Sequence, residues 1–373
     1  MMNKLQYLCT NIFFIFSGFY IHSGLGFSPV HIAFIFGFVA IVSISSSYNR
    51  IKVDNIMILP GIFLGYLILT QFILDARIGD ILNVLLSLIY FIFGVSLMSV
   101  LPVSRILRIS KRLINYSIIL LIAESYWRIT NPQYDYLEML VSKNIEPDFF
   151  DLGFYAYKVN SIMYQDSNFV GIFIIVLFFF SYYLTTRWKE VYRTQLMLLA
   201  TLCLLTFSRA AIISLIVCFF SGKVFLKRSN NYLVTSLVIA VFCIFFGYFL
   251  GSDDSLLSKF EIINKFSTFV YNQATLTDLL VGVGFGNTVK SIGIGSHNFI
   301  VTYFMESGIL GTFLLFLTWT LILLKSKYYV GIIMIPFLLA GFSLAGHAIP
   351  YVYAIYAIIY CLEKCNIYNS EQK

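Results

Sequence analysis

Long apolar runs alternate with short polar joints along almost the whole chain. About twelve runs can be drawn, near 5–21, 29–46, 55–74, 81–101, 113–127, 168–186, 195–207, 210–222, 231–250, 299–324, 328–346 and 348–362. A hydrocarbon core of about 30 Å takes roughly 20 helical residues. The runs 195–207 and 210–222 fall short of that, so they read either as two spans or as one merged span. Charge separates the two readings. With the N-terminus in the cytoplasm and all the runs kept, each cytoplasmic joint carries Lys or Arg, as the positive-inside rule requires. Arg50 and Lys52, the Arg105–Arg112 cluster, the 187–193 group, the 223–228 group and Lys325 with Lys327 all fall inside. Merging 195–222 would put one of the two flanking basic joints outside. The pattern therefore predicts a hairpin at Phe207-Ser208-Arg209-Ala210, with Arg209 at the outer surface.

Composition agrees with that pattern. Of 373 residues, 59% are hydrophobic and 12% charged, against about 25% charged in a soluble domain. The expected fold class is an all-α polytopic integral membrane protein, a single transmembrane domain over 1–373. The formal charge of +7 is spread over short joints, which excludes a nucleic-acid module. Lys4 and the run after it resemble a signal peptide, but His22-Ser23-Gly24 is no cleavage site, so an uncleaved first span is expected. Of the six cysteines, four lie in apolar runs and Cys361 and Cys365 sit near the last one, so no disulfide framework is expected.

Two outward connections are long, 128–167 and 251–297. They are too short for a catalytic domain with its own core, so a site there must also use helix ends. That suits a substrate lying partly in the lipid, with its polar head at the outer surface.

The candidate chemistry gathers on these segments. His297 opens the run from 299, where it would serve as a general base or merely as a solvated or capping group beside Asn298. On one continuous helix from His297 to Gly311, Gly308 and Gly311 would share the histidine's face and let a neighbouring helix approach closely. Glu306 would then point the opposite way, out of reach of His297 unless the helix is broken. Arg209 can clamp a phosphate with paired hydrogen bonds or snorkel to headgroups. Glu124 and Arg128 are spaced to pair on one helix, or Arg128 faces the phosphate. The tyrosines of 128–167 suit either sugar rings or an interfacial belt. His347 reads as structural. Gly282-Val283-Gly284-Phe285-Gly286 lacks the context of a nucleotide loop, and no residue cluster has metal-ligand spacing.

His297-Asn298, nine residues, Gly308, two residues, Gly311 is similar to the H-[NSQ]-x9-G-x-x-[GTY] pattern of bacterial O-antigen ligases, whose membrane superfamily includes the O-antigen polymerases. Ser208-Arg209-Ala210 resembles the superfamily's S-R-[AG] turn, and Asp166-Ser167-Asn168 its D/N-x-N step. The resemblance covers 160–311 by motif and the remainder by topology. It implies a GT-C-like fold of about 12 transmembrane helices with two larger periplasmic loops, in the bacterial inner membrane. It implies an inverting, metal-independent glycosyltransferase, without cofactor, acting at the periplasmic face. The partner substrate would be an undecaprenyl-diphosphate-linked oligosaccharide among the membrane lipids. His297 and Arg209 would be catalytic. Arg128, Lys158, Tyr164, Asn298 and Lys290 would bind substrate. A chain-length-regulating membrane protein is a further implied partner. The compact chain and modest second loop favour the polymerase over the ligase. A flippase for lipid-linked sugars, using Glu124, Glu306 and Arg209, is the competing expectation. The two long outer loops and the lack of recognisable broken helices count against it.

Overall fold

The computed structural model describes residues 2–21, 27–48, 54–134, 156–158, 160–164, 166–227, 254–295, 298–341 and 349–371. Among them the secondary structure is helical, apart from an isolated antiparallel bridge between Ile21 and Met163. We number the helices α1 Lys4–Ile15, α2 Pro29–Tyr48, α3 Ile58–Ile73, α4 Ile78–Ser99, α5 Val103–Thr130, α6 Ser167–Trp188 and α7 Arg193–Leu205. They continue as α8 Arg209–Lys227, α9 Asp254–Asn272, α10 Leu276–Val281, α11 Thr288–Ile292, α12 Phe299–Lys325, α13 Gly331–Gly341 and α14 Pro350–Glu371.

Five helical segments are long and apolar enough to cross a membrane: Pro29–Ser46, Asn55–Ile73, Ile78–Ser99, Ser167–Trp188 and Phe299–Lys325. Arg193–Leu205, Arg209–Phe220 and Gly331–Gly341 are apolar but shorter. The chain is therefore an all-α protein of membrane type. The expected runs at 5–21, 113–127 and 348–362 fall on α1, α5 and α14, while the run at 231–250 lies outside the described residues. The short pair 195–207 and 210–222 forms two helices, α7 and α8, with a break at 206–208.

Local sequence explains the helix starts. Asn3 and Gln6 form a reciprocal capping box on α1. Pro29 and Pro350 open α2 and α14 at the position where a missing N–H costs nothing. Asp166 caps α6, its Oδ1 accepting from Asn168 N–H at 2.8 Å. That cap accounts for the Asp166-Ser167-Asn168 step.

Two helices form the centre. The apolar residues of α6 are buried nearly all round, as are those of α14 from Tyr351 to Leu362. Tyr351 of α14 meets Phe173 of α6 edge-on at 4.5 Å. α4 packs along α14 so closely that a Cβ on Gly94 would press on Ala357. Polar contacts then tie the helix ends into two sets. One set joins Gln6 to Ser43, Asp54 to Lys364, and Arg187 to Glu363; this is the end that the positive-inside reading of the sequence expects in the cytoplasm. The other joins Tyr20 to Asn83, the Arg77 N–H to the Phe285 carbonyl, and Arg128 to the Leu205 carbonyl.

The continuous helix expected from His297 to Gly311 is not what forms. α12 begins at Phe299 and is interrupted at Gly308, which has φ 66° and ψ −173°. The second long connection also carries more order than a loop. Ile262 and Phe269 of α9 form a small apolar cluster with Ile292, Val301 and Met305, covering the first half of α12.

At the Lys364 end of the bundle, burial would raise the Asp54 carboxyl, but hydrogen bonds from Lys364 and Tyr360 outweigh it and hold the group below its ordinary range. A depressed carboxylate contributes stability above its unfolded pKa of about 3.9, and loses it as pH falls through the folded value. Asp54→Asn should lower stability by about 0.5–1 kcal/mol at pH 7. That gap should narrow as pH falls below about 3.9 and close in thermal melts taken below the folded-state pKa. An equal gap at both pH values would show that the charge plays no part.

Candidate functional site

The turn carrying Arg209 is built from three residues. Phe207 adopts a left-handed φ of 53°. Thr206 donates to the Cys203 carbonyl at 2.7 Å and accepts from Ser208 N–H at 3.2 Å. Ser208 is buried and its hydroxyl accepts from Ala211 N–H at 3.4 Å, capping α8. Gly171 of α6 lies directly beneath, where a Cβ would collide with Ala211 and crowd Ser208. Ser208 and Ala211 thus have physical tasks at the turn, and Arg209 is exposed as the first residue of α8.

Of the two readings open for Arg128, the structure realises the buried pair. Arg128 and Glu124 have fully buried side chains 3.0 Å apart. Nη1 donates to the Tyr157 carbonyl at 2.9 Å and Nη2 to the Leu205 carbonyl at 2.7 Å. A buried charge is tolerated only when paired and hydrogen-bonded, and all three guanidinium nitrogens are engaged in this way. Leu205 is the last residue of α7, so Arg128 supplies a donor to a carbonyl the helix end leaves orphaned. Its guanidinium also lies 6.0 Å from the Phe207 ring. Arg128 therefore fastens the turn that presents Arg209.

Residues 156–158 and 160–164 lie across the same end as a strap. Gln133 N–H donates to the Ala156 carbonyl, and Asn160 Nδ2 donates to the Asn131 carbonyl at 2.6 Å. The Tyr157 ring packs against Phe207 at 6.2 Å. Lys158, half-buried, follows Tyr157, and its carbonyl accepts from Ser167 N–H. Tyr164 has φ 60°, donates its hydroxyl to the Gly18 carbonyl at 3.2 Å, and stacks at a tilt on Tyr20 at 5.2 Å. Its ring locks the strap to the end of α1.

His297 lies outside the described residues, as do His347 and 135–155. The neighbouring Asn298 caps α12, its Oδ1 accepting from Ile300 and Val301 N–H at 3.0 and 3.3 Å. Lys290 is exposed near the end of α11. The helix beyond Asn298 and the turn at Arg209 belong to the same end of the bundle. Phe299 lies against Gly341, the last residue of α13, and α13 packs along α8. One helix, α13, thus stands between the start of α12 and the Arg209 helix.

Sequence reasoning missed how the glycine-rich segment is used. Val283 and Gly284 N–H donate to the Met305 and Glu306 carbonyls at 2.8 and 3.2 Å. These are carbonyls that the break at Gly308 would otherwise strand. Gln71 Nε2 donates to the same Glu306 carbonyl at 3.3 Å, and its Oε1 accepts from Phe285 N–H at 2.8 Å. Tyr66 donates to the Ser307 carbonyl at 3.0 Å. Gly308 and Gly311 do permit close approach by neighbouring helices, Gly308 by the Leu280–Val281 backbone at the end of α10 and Gly311 by the Tyr66 ring of α3. A glutamine inside the apolar run 55–74 was the available signal. Among the described residues no three His, Cys, Asp or Glu side chains gather as a metal-binding set.

Fold and composition define an all-α protein of membrane type. No protein-family model and no curated protein sequence matches the chain.

Removing one partner of the buried pair should be severe. Arg128→Met should cost about 3–5 kcal/mol, read as loss of folded protein in detergent. The double variant Glu124→Leu with Arg128→Met should recover much of that loss, because no uncompensated charge remains. A double variant no more stable than Arg128→Met would mean that the carbonyl contacts, not the pair, matter.

Proposed function

We propose that the protein is an O-antigen or related surface-polysaccharide polymerase, joining undecaprenyl-diphosphate-linked repeat units at the periplasmic face of the inner membrane. The observation that carries this reading is the exposed Arg209, set on a rigid turn by Arg128 at the same bundle end as Asn298. A fixed guanidinium suits a diphosphate leaving group, whose developing charge is the main target for stabilisation in such a transfer. His297 would take the proton of the attacking sugar hydroxyl. Lys158 stands beside the residues that pack on Phe207, so it can add positive charge there. Lys290 and Asn298 flank the histidine along the chain, and Tyr164 contributes through the strap it locks. Transfer of the finished glycan to lipid A–core, the ligase activity, uses the same groups with another acceptor.

A flippase is the second reading, and the interruption of α12 at Gly308 is the feature that favours it, since broken helices line transport sites. Purified protein with lipid-linked repeat units in detergent separates the two, because polymerisation needs no sealed membrane. Arg209→Ala and His297→Ala should each abolish chain extension at normal protein levels; full activity in either variant would remove that residue from the mechanism. A strain lacking the gene should make lipopolysaccharide with a single repeat. Lipopolysaccharide with no repeat, beside accumulated lipid-linked polymer, would instead assign the ligase.

A further inference from the structure

Glu306 is buried in an apolar helix, where an ionisable side chain is costly and calls for a reason. Its Oε1 accepts from Gly286 N–H at 3.0 Å and from the Thr288 hydroxyl at 2.9 Å. Its carbonyl accepts from Gly284 N–H at 3.2 Å, one residue from the Val283 to Met305 bond. The two segments cross where neither has a side chain. A Cβ on Gly282 would strike the Glu306 carbonyl group, and one on Gly308 would strike that of Leu280. Both glycines have positive φ, 90° and 66°, so other residues would be strained there as well. Arg77 and Asp80 at the start of α4 close the outer side, lying against Gly286.

The contacts close one unit at its base. α11 with Lys290, and the first half of α12 with its cap Asn298, hang from this clasp. In sequence, His297 stands midway between the two residues that the carboxylate joins. We propose that Glu306 is a positioning residue: its carboxylate, acting through Gly286 and Thr288, fixes α11 and the first half of α12, and with them the groups of the transfer site. This role rests on the glycosyl-transfer reading for its purpose, but not for its geometry. Glu306 touches no substrate; an acceptor oxygen at this place is all the role requires.

The test uses purified full-length protein carrying Ile292→Cys, a position buried between α11, α9 and α12. Modification by a maleimide is followed by mass spectrometry, with the native buried Cys203 of α7 as the internal reference. Adding Glu306→Ala should speed modification at 292 by about 10-fold, the scale of one charge-assisted hydrogen bond lost, with Cys203 unchanged. Glu306→Gln keeps the acceptor and should stay within about 2-fold of the parent, and Thr288→Val should give an intermediate rise. If Glu306→Ala yields no folded protein, Thr288→Val against Glu306→Gln decides alone. An unchanged rate at 292, or an equal rise at 292 and 203, overturns the proposal. With Ile292 restored, Glu306→Ala should lower kcat of chain extension while the donor KM holds, and Glu306→Gln should restore it. Absence of chain extension by the wild type would overturn the transfer reading, while the labelling comparison would still decide the clasp.

Discussion

Inside a bilayer a backbone carbonyl has no water to turn to, and leaving it unpaired costs several kcal/mol. The arrangement around Gly308 answers that constraint. α12 is interrupted there, and the carbonyls of Met305, Glu306 and Ser307 are met by Val283, by Gly284 with Gln71, and by Tyr66. The donors come from two distant parts of the chain, α3 and the glycine-rich segment. The interruption therefore binds the second long connection to the bundle, and it gives irregular backbone a place where protein surrounds it. The Arg128 carbonyl bonds at the end of α7 obey the same rule at a second site.

Much of this architecture could be read from the chain. Hydropathy placed the five long apolar helices, and the basic residues on either side of 195–222 required the break that Thr206, Phe207 and Ser208 now make. The i,i+4 spacing of Glu124 and Arg128 raised their pairing as one of two options. Hydropathy could not show that the Arg128 guanidinium also reaches Tyr157 and Leu205, because those contacts join residues far apart in sequence. Nor could periodicity reveal the interruption of α12. Gly308 fits an apolar helix by composition, but its backbone is non-helical at the point where the Leu280–Val281 backbone lies against it. The assumption of one unbroken helix put Glu306 on the face away from His297. In the folded chain its carboxylate is the hub for Gly286 and Thr288.

The two bundle ends differ in kind. At the end that holds Lys364, ion pairs such as Arg187–Glu363 join helix to helix directly. At the other end, short irregular segments do the joining: the strap through Tyr157 and Tyr164, and the glycine segment through Phe285. Binding and catalysis usually sit on segments of that type, held by a rigid frame. Arg209 combines both properties, since its helix packs on the central α6 while the side chain itself lies open.

The length of α7 carries a last consequence. It has 13 residues, a rise of about 20 Å, well short of the roughly 30 Å that hydrocarbon usually occupies. Lipid beside so short a helix thins to meet it. Headgroups and water would then descend to the level of the α7–α8 turn, forming a notch on that face of the membrane. A long-tailed lipid could present its polar head there while its tail stays dissolved among its neighbours.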